Sequence, residues 1–310
     1  MKKPLIVIAG PTACGKTAVS VELAKKINGE IISADSMQVY KFMNIGTAKV
    51  SEEEKKGITH YLIDELYPDE EYSVAIFQSM AKKYSLKIYE KGKNPILVGG
   101  TGFYINAFVN DTDFEETEIN YTVRNQLQKI ADQKGGDFLF EMLKKCDPKS
   151  CNVIHPNNIK KVIRAIEYFK QTGQPISEHN ETEKEKNSPY NTIFIILNMD
   201  RKLLYERIDK RIDIMLEKGL VCEVSELLEK YEPNLVSMQG LGYKEIILYL
   251  QGKISLDEAV YILKRDTRHF AKRQVTWFKH QAKNAKWIDI TDCDILRAAD
   301  EIYCFCEKIL

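Results

Sequence analysis

Residues 10–17, Gly-Pro-Thr-Ala-Cys-Gly-Lys-Thr, match the pattern G-x-x-x-x-G-K-[ST], whose chemistry is the holding of a di- or triphosphate. In Gly10, Pro11, Thr12, Ala13, Cys14 and Gly15 the glycines let backbone N–H groups turn inward on a phosphate. Lys16 neutralises the terminal phosphate, and the Thr17 hydroxyl holds Mg²⁺. Cys14 fills a variable position and carries no chemistry of its own. Two other polar strings follow apolar runs: Ser33-Ala34-Asp35-Ser36 and Gly99-Gly100-Thr101-Gly102. Asp35 is the one carboxylate among the four residues after each of these runs, which makes it the candidate general base or metal ligand. Its other reading is a helix N-cap for the turn that follows.

An absence narrows the chemistry further. An enzyme that hydrolyses nucleotides on such a sheet ends a strand with an acidic residue that orients Mg²⁺ and water. Here Ile96-Leu97-Val98 runs into two glycines and a threonine. Leu62-Ile63-Asp64 is a substitute preceded only by the short polar run His60-Tyr61. A motor ATPase is disfavoured, while transfer of, or to, a phosphate-bearing small molecule stays open.

Basic residues are concentrated in a few places. Between Lys264 and Lys286, eight basic residues (Lys264, Arg265, Arg268, Lys272, Arg273, Lys279, Lys283, Lys286) face the single Asp266, a local charge of +7. Lys264, Arg268 and Lys272 recur every four residues, with Leu263, Phe270 and Phe278 on a roughly opposite stripe. That spacing serves a phosphate-binding face or a solvated amphipathic helix. Lys160, Lys161 and Arg164 make a second cluster, and two separated clusters suit an extended polyanion. Arg207 and Arg211, four apart on a predicted helix, either grip a diphosphate as a pair or form a surface pair.

The elements that must position these residues alternate. Residues 5–9, 31–34, 61–63 and 95–98 read as short strands, and 17–27 and 73–90 as helices, which predicts an α/β fold with a parallel sheet flanked by helices. Ligands then bind where the strands end, so the three polar strings converge. An acidic stretch (Asp111, Asp113, Glu115, Glu116, Glu118) leads into helical periodicity from 123 to about 173 and a polar segment, 178–188. Residues 192–197 return as a strand, and beyond Asp200 the pattern is mostly helical to Trp287. The expected organisation is a phosphate-loop core of 1–111 and 190–310, with an all-helical domain of 112–189 inserted between two strands.

Composition excludes other classes. The 310 residues carry 45 Lys+Arg and 45 Asp+Glu, with 44% hydrophobic and 29% charged residues, so the chain is neither a disordered tail nor a coat of uniform charge. No run approaches the roughly 18 apolar residues of a membrane span. The five-residue run after Lys3 leads straight into Gly10-Pro11, which suits a first buried strand rather than an export signal. Seven scattered cysteines without C-x-x-C zinc spacing point to a reducing, cytoplasmic setting. Nothing in the patterning demands a dimer, and a monomer is expected. These residues leave three readings open: a transferase, a small-molecule kinase with Asp35 as base, and a nucleotide-gated RNA-binding protein.

Seven strings, in order over about the first 290 residues, resemble the tRNA dimethylallyltransferases. They are residues 10–17; Asp-Ser-Met-Gln-Val-Tyr (35–40); Ile-Gly-Thr-Ala-Lys (45–49); Val-Gly-Gly-Thr-Gly-Phe-Tyr (98–104); His-Pro-Asn-Asn (155–158); Gly-Leu-Gly-Tyr-Lys-Glu (240–245); and Lys-Arg-Gln-Val-Thr-Trp-Phe-Lys (272–279). The resemblance implies transfer of a dimethylallyl group from dimethylallyl diphosphate to N6 of the adenosine 3′ of the anticodon, in tRNAs reading codons that begin with U, with release of pyrophosphate. The loop then holds the donor's diphosphate with Mg²⁺, although in such families it is often described as an ATP or nucleotide site. Asp35 matches the family's catalytic aspartate, Thr101 the partner of the leaving oxygen, and Lys16 and Arg211 stabilise the departing charge.

The resemblance also carries tRNA contact onto Asp35, Ser36, Met37 and Gln38 with Thr101, and onto Val123 and Arg124. Further contacts fall on Lys160, Lys161, Val162, Ile163 and Arg164, on Gln239, Gly240, Leu241, Gly242, Tyr243 and Lys244, and on Lys272, Arg273, Gln274, Trp277 and Lys279. The inserted helices would clamp the anticodon arm. Eukaryotic members carry a C-terminal zinc finger for which this chain lacks the Cys/His spacing, so the likeness is to the shorter bacterial type and no zinc is expected.

Overall fold

The computed structural model describes residues 2–114, 121–282 and 284–307; Glu115, Glu116 and Glu118 of the acidic stretch and Lys283 of the basic one lie outside them. Two compact units result, one of Met1–Asp111 with Pro189–Leu310 and the other of Thr112–Ser188, so the second boundary falls one residue earlier than expected.

The first unit opens with β1 (Lys3–Ala9), α1 (Lys16–Lys26), β2 (Gly29–Ala34), α2 (Glu52–Lys55), β3 (His60–Tyr61), α3 (Val74–Glu90), β4 (Asn94–Gly99) and α4 (Gly102–Val109). The inserted unit holds α5 (Tyr121–Lys134), α6 (Gly136–Cys146), α7 (Ile159–Thr172) and α8 (Ile176–Glu185). The first unit resumes with β5 (Tyr190–Asn198), α9 (Arg201–Glu217), α10 (Leu220–Leu228), α11 (Tyr243–Leu250), α12 (Leu256–Gln281), β6 (Lys286–Asp289) and α13 (Ile295–Cys306).

Six strands form one parallel sheet in the order β3-β2-β4-β1-β5-β6. Its central strands are apolar runs without alternation, because helices cover both faces: residues 5–9 of β1 and all of β2 are buried. Register explains the convergence of the polar strings. Ala9 pairs with Gly99, and Gly99 with Ala34, so three chain segments leave the sheet side by side. Gly99 must lack a side chain, since a Cβ there would lie 2.1 Å from the Ala34 carbonyl oxygen.

Helix starts follow their capping residues. Ser73, Asn158, Asp200 and Ser255 each accept a backbone N–H in the first turn of α3, α7, α9 and α12. Two stretches differ from the sequence pattern. Residues 286–289, expected to continue the helical segment, form β6 beside β5; with only Trp287 and Ile288 apolar, so short an edge strand leaves no period to read. The polar segment after 178 is mostly helical, anchored at its start by Ile176 on the core of its own unit. That core consists of Leu127, Leu139, Leu143, Val162, Ile163, Ala165 and Ile166. Among the described residues no helix is long and apolar enough to cross a membrane.

Candidate active site

The loop after β1 enters α1 through Gly15, whose φ of +88° is a left-handed conformation that costs a glycine nothing. Thr12, Ala13, Gly15, Lys16 and Thr17 line a cleft of about 250 Å³ together with Ser33, Asp35 and Arg211. Lys16 Nζ donates to the Pro11 carbonyl at 2.6 Å, and Arg211 Nη1 to Thr12 Oγ1 at 3.4 Å. Burial is the main influence on the Lys16 ammonium and lowers its pKa; Cys14 and Asp35 oppose the shift and Arg211 reinforces it. Burial likewise lowers Arg211, against Glu54, Cys14 and Asp35. Two desolvated cations in one cleft gain when an anion enters, and a polyanion gains most.

Asp35 follows β2 directly. Its Oδ1 accepts the Met37 N–H at 2.8 Å and the Gln38 N–H at 3.3 Å, which closes an Asx turn; no helix begins here, since the next one starts at Glu52, so the expected helix N-cap is a turn instead. Oδ2 accepts no hydrogen bond among the described residues and lines the cleft with the rest of the side chain. Thr101 heads α4 without capping it, its hydroxyl free of partners among the described residues. A second cavity, of about 310 Å³, is lined by Thr101, Met37, Ile208, Ile212, Met215, Leu241 and Leu263 among others. It shares Thr12, Asp35, Thr47, Ala48, Arg211, Phe270 and Gln274 with the first. The two are ends of one cleft, with the glycine loop and Lys16 at one end and a mainly apolar lining at the other, and with Asp35 and Arg211 where they meet.

Several candidate residues sit elsewhere than their motifs imply. Arg207 is exposed and lines a neighbouring groove, so Arg211 alone of that pair reaches the loop. Val162 and Ile163 are 0% and 4% exposed in the helical unit's core, and Val123 packs against it, which leaves Lys160 and Lys161 as the outward part of α7. Arg124 and Arg164 pair with buried Glu167 at 2.8 and 3.4 Å. Tyr243 is fully buried, donating to Glu223 at 2.7 Å. Gln274 faces inward onto the loop rather than outward. Trp277 lies against Gly102, where a Cβ would be 2.1 Å from its ring. Gln239, Lys272, Arg273 and Lys279 are exposed, while Gly240, Leu241 and Lys244 border the cleft. Asp64 is held by Lys49 at 2.5 Å and does not line either end of the cleft.

The basic helix is partly neutralised by its neighbour. Lys264 pairs with Asp213 at 2.5 Å and Arg268 with Asp209 at 2.6 Å, both acids on α9, and Arg265 pairs with Asp266. Residues without a motif also shape the site. Glu223 on α10 accepts the N–H groups of Asn44, Ile45 and Gly46 at 2.7–3.0 Å, fixing the loop that brings Thr47 and Ala48 to the cleft. The apolar residues of α9 recur at helical spacing, which signals burial but not that Ile208, Ile212 and Met215 line a cavity.

A family model described as IPP transferase matches residues 38–281. The chain is 57% identical over 291 residues to the tRNA dimethylallyltransferase of Lachnoclostridium phytofermentans, covering 94% of this chain and 93% of that one. It is 56% identical to the protein of that name from Acetivibrio thermocellus, with the same coverage. Its fold is similar to that of the crystallised tRNA isopentenylpyrophosphate transferase of Bacillus halodurans, with a TM-score of 0.75, 43% identity and coverage of 99% and 98% of the two chains. A eukaryotic dimethylallyltransferase acting on tRNA is similar at a TM-score of 0.80 and 34% identity, over 94% of this chain and 74% of that one.

Proposed function

The chain belongs to the IPP transferase family, and from that premise we propose that it transfers the dimethylallyl group of dimethylallyl diphosphate to N6 of the adenosine 3′ of a tRNA anticodon. The observation that carries this reading is the single cleft with a phosphate loop at one end, an apolar cavity at the other, and Asp35 between them.

The donor's diphosphate binds the loop amides, Lys16 and Arg211. Its hydrocarbon and the flat base share the apolar end, the base entering past Met37 and Leu241. Adenine N6 is a weak nucleophile because its lone pair is delocalised into the ring. As the C1–N6 bond forms and the C1–O bond breaks, Asp35 Oδ2 takes the N6 proton, and the electron pair of the broken bond leaves on pyrophosphate. Lys16 and Arg211 stabilise the charge gathering there, and the Thr101 hydroxyl hydrogen-bonds near the leaving oxygen. Among the described residues no three His, Cys, Asp or Glu side chains are grouped to hold a metal. The exposed Thr17 hydroxyl with Asp35 nearby fits Mg²⁺, which keeps waters and substrate phosphates as most of its ligands. When bound, the ion adds positive charge to the diphosphate.

The target base must leave its stack to reach the cleft. Lys272, Arg273 and Lys279 of the first unit, and Lys160 and Lys161 of the second, supply phosphate contacts to the anticodon arm. The test is incubation of the protein with unmodified tRNA and dimethylallyl diphosphate, followed by mass spectrometry of the nucleosides. An N6-dimethylallyl adenosine beside the anticodon is expected; no product from any tRNA with A-A-A at that place sinks the reading.

A further inference from the structure

Resting on the reading of tRNA as substrate, we propose that Phe42 and Tyr67 form a stacking platform for an unpaired nucleotide of the RNA loop outside the transfer cleft. Phe42 is 50% exposed and Tyr67 45%, and their ring centroids lie 6.0 Å apart at 40°. Lys41 Nζ stands 3.9 Å from the Tyr67 centroid and Lys230 Nζ 5.9 Å from that of Phe42. Phe42 also has φ +67°, a left-handed conformation that costs a bulky residue free energy. Its side chain is thus held outward on a backbone that a glycine would adopt with less strain.

The rings are anchored to the segments that border the cleft. The Lys41 N–H donates to the Leu66 carbonyl at 2.7 Å, next to Tyr67. Ser237 Oγ donates to the Pro68 carbonyl at 2.6 Å, tying Tyr67 to the stretch that leads into Gln239–Gly240. Met37 packs on Gly240, where a Cβ would lie 2.6 Å from its methyl. Rings with an ammonium over one face suit a nucleotide, which offers a π-face to the opposite side and a phosphate to the ammonium, better than an apolar protein surface. Asp69, Glu70 and Glu71 follow Tyr67-Pro68 in the chain, and their charge disfavours a phosphate except beside Lys41 and Lys230.

The test is steady-state kinetics with a short anticodon stem-loop RNA, paired with thermal unfolding. Phe42→Gly relieves the left-handed strain while removing the ring, so its Tm should equal or exceed that of the wild type as its KM for RNA rises roughly tenfold. Its kcat should stay within twofold and its KM for dimethylallyl diphosphate should not move. Phe42→Trp should restore RNA affinity and Phe42→Leu should not. An unchanged KM for RNA in both Phe42→Gly and Phe42→Leu overturns the platform. So does a wild-type dimer that Phe42→Gly splits, which would make a second copy the occupant. Failure of the underlying function is a separate result, because the wild type would then form no product.

Discussion

Gln274 Oε1 accepts the Thr12 backbone N–H at 2.9 Å across 262 residues of sequence, while its Nε2 donates to the Gly100 carbonyl at 3.0 Å. One buried side chain of α12 thereby clamps the phosphate loop to the end of β4. Gln274→Ala leaves the half-buried Thr12 N–H and the buried Gly100 carbonyl without their partner, a loss of about 1–3 kcal/mol, and frees the loop. The expected outcome is a roughly tenfold rise in KM for dimethylallyl diphosphate with tRNA affinity within twofold of wild type. In Gln274→Glu the carboxylate still accepts from Thr12 but repels Gly100, so recovery should be partial. Loss of tRNA affinity with unchanged donor KM would return Gln274 to the RNA contacts.

Asp35→Asn separates chemistry from structure. An Asn oxygen still accepts the Met37 and Gln38 amides, so the turn should persist and tRNA affinity should hold. The amide cannot take the N6 proton, and kcat should fall about 10²- to 10⁴-fold. Single-turnover assays with saturating RNA and donor measure this, and near-wild-type turnover would remove Asp35 from the base role.

What the sequence displays is what local patterns encode. The phosphate loop, the Asp35 turn and the Gly99-Gly100-Thr101 turn are strings of four to eight residues beside apolar runs, and parallel register forces their ends together. Gln274 and Glu223 were illegible as loop supports because their partners are 174–262 and 177–179 residues distant. Charge counting saw Lys264 and Arg268 but not that Asp213 and Asp209 on α9 lie beside them. Tyr243, Val162 and Ile163 show the opposite limit. They sit inside motif strings, yet burial gives their side chains to packing while their neighbours face solvent.

Glu30 gives stability a marked acid dependence. It is 2% exposed on β2 and accepts from Lys93 at 2.8 Å, Tyr61 at 2.7 Å and Lys91 at 3.0 Å. Burial raises its pKa, but these donors outweigh it and hold the carboxyl at about 2. The folded value lies below the unfolded one, so the stabilisation is present above pH ~4.3, shrinks as pH falls toward 2, and is on the order of 3 kcal/mol. Chemical denaturation of Glu30→Gln should show a flatter stability curve between pH 5 and 2 than wild type. Parallel curves would contradict the assignment.

The ion pairs between α12 and α9 divide the basic helix into charges compensated within the protein and exposed charges, the latter being the proposed RNA contacts. Lys264 and Arg268 are engaged by Asp213 and Asp209, whereas Lys272 and Lys279 are exposed and have no ion pair among the described residues. A cation that neutralises an RNA phosphate releases a counterion, so removing it lowers the slope of log Kobs against log salt by about 1. Lys272→Ala and Lys279→Ala should each reduce the slope by that amount. Lys264→Ala and Arg268→Ala should leave it unchanged, because their charges are already compensated within the protein. Filter binding of tRNA between 50 and 300 mM salt measures all four. Equal slope losses in every variant would mean that RNA opens the α9 pairs on binding and recruits the whole helix.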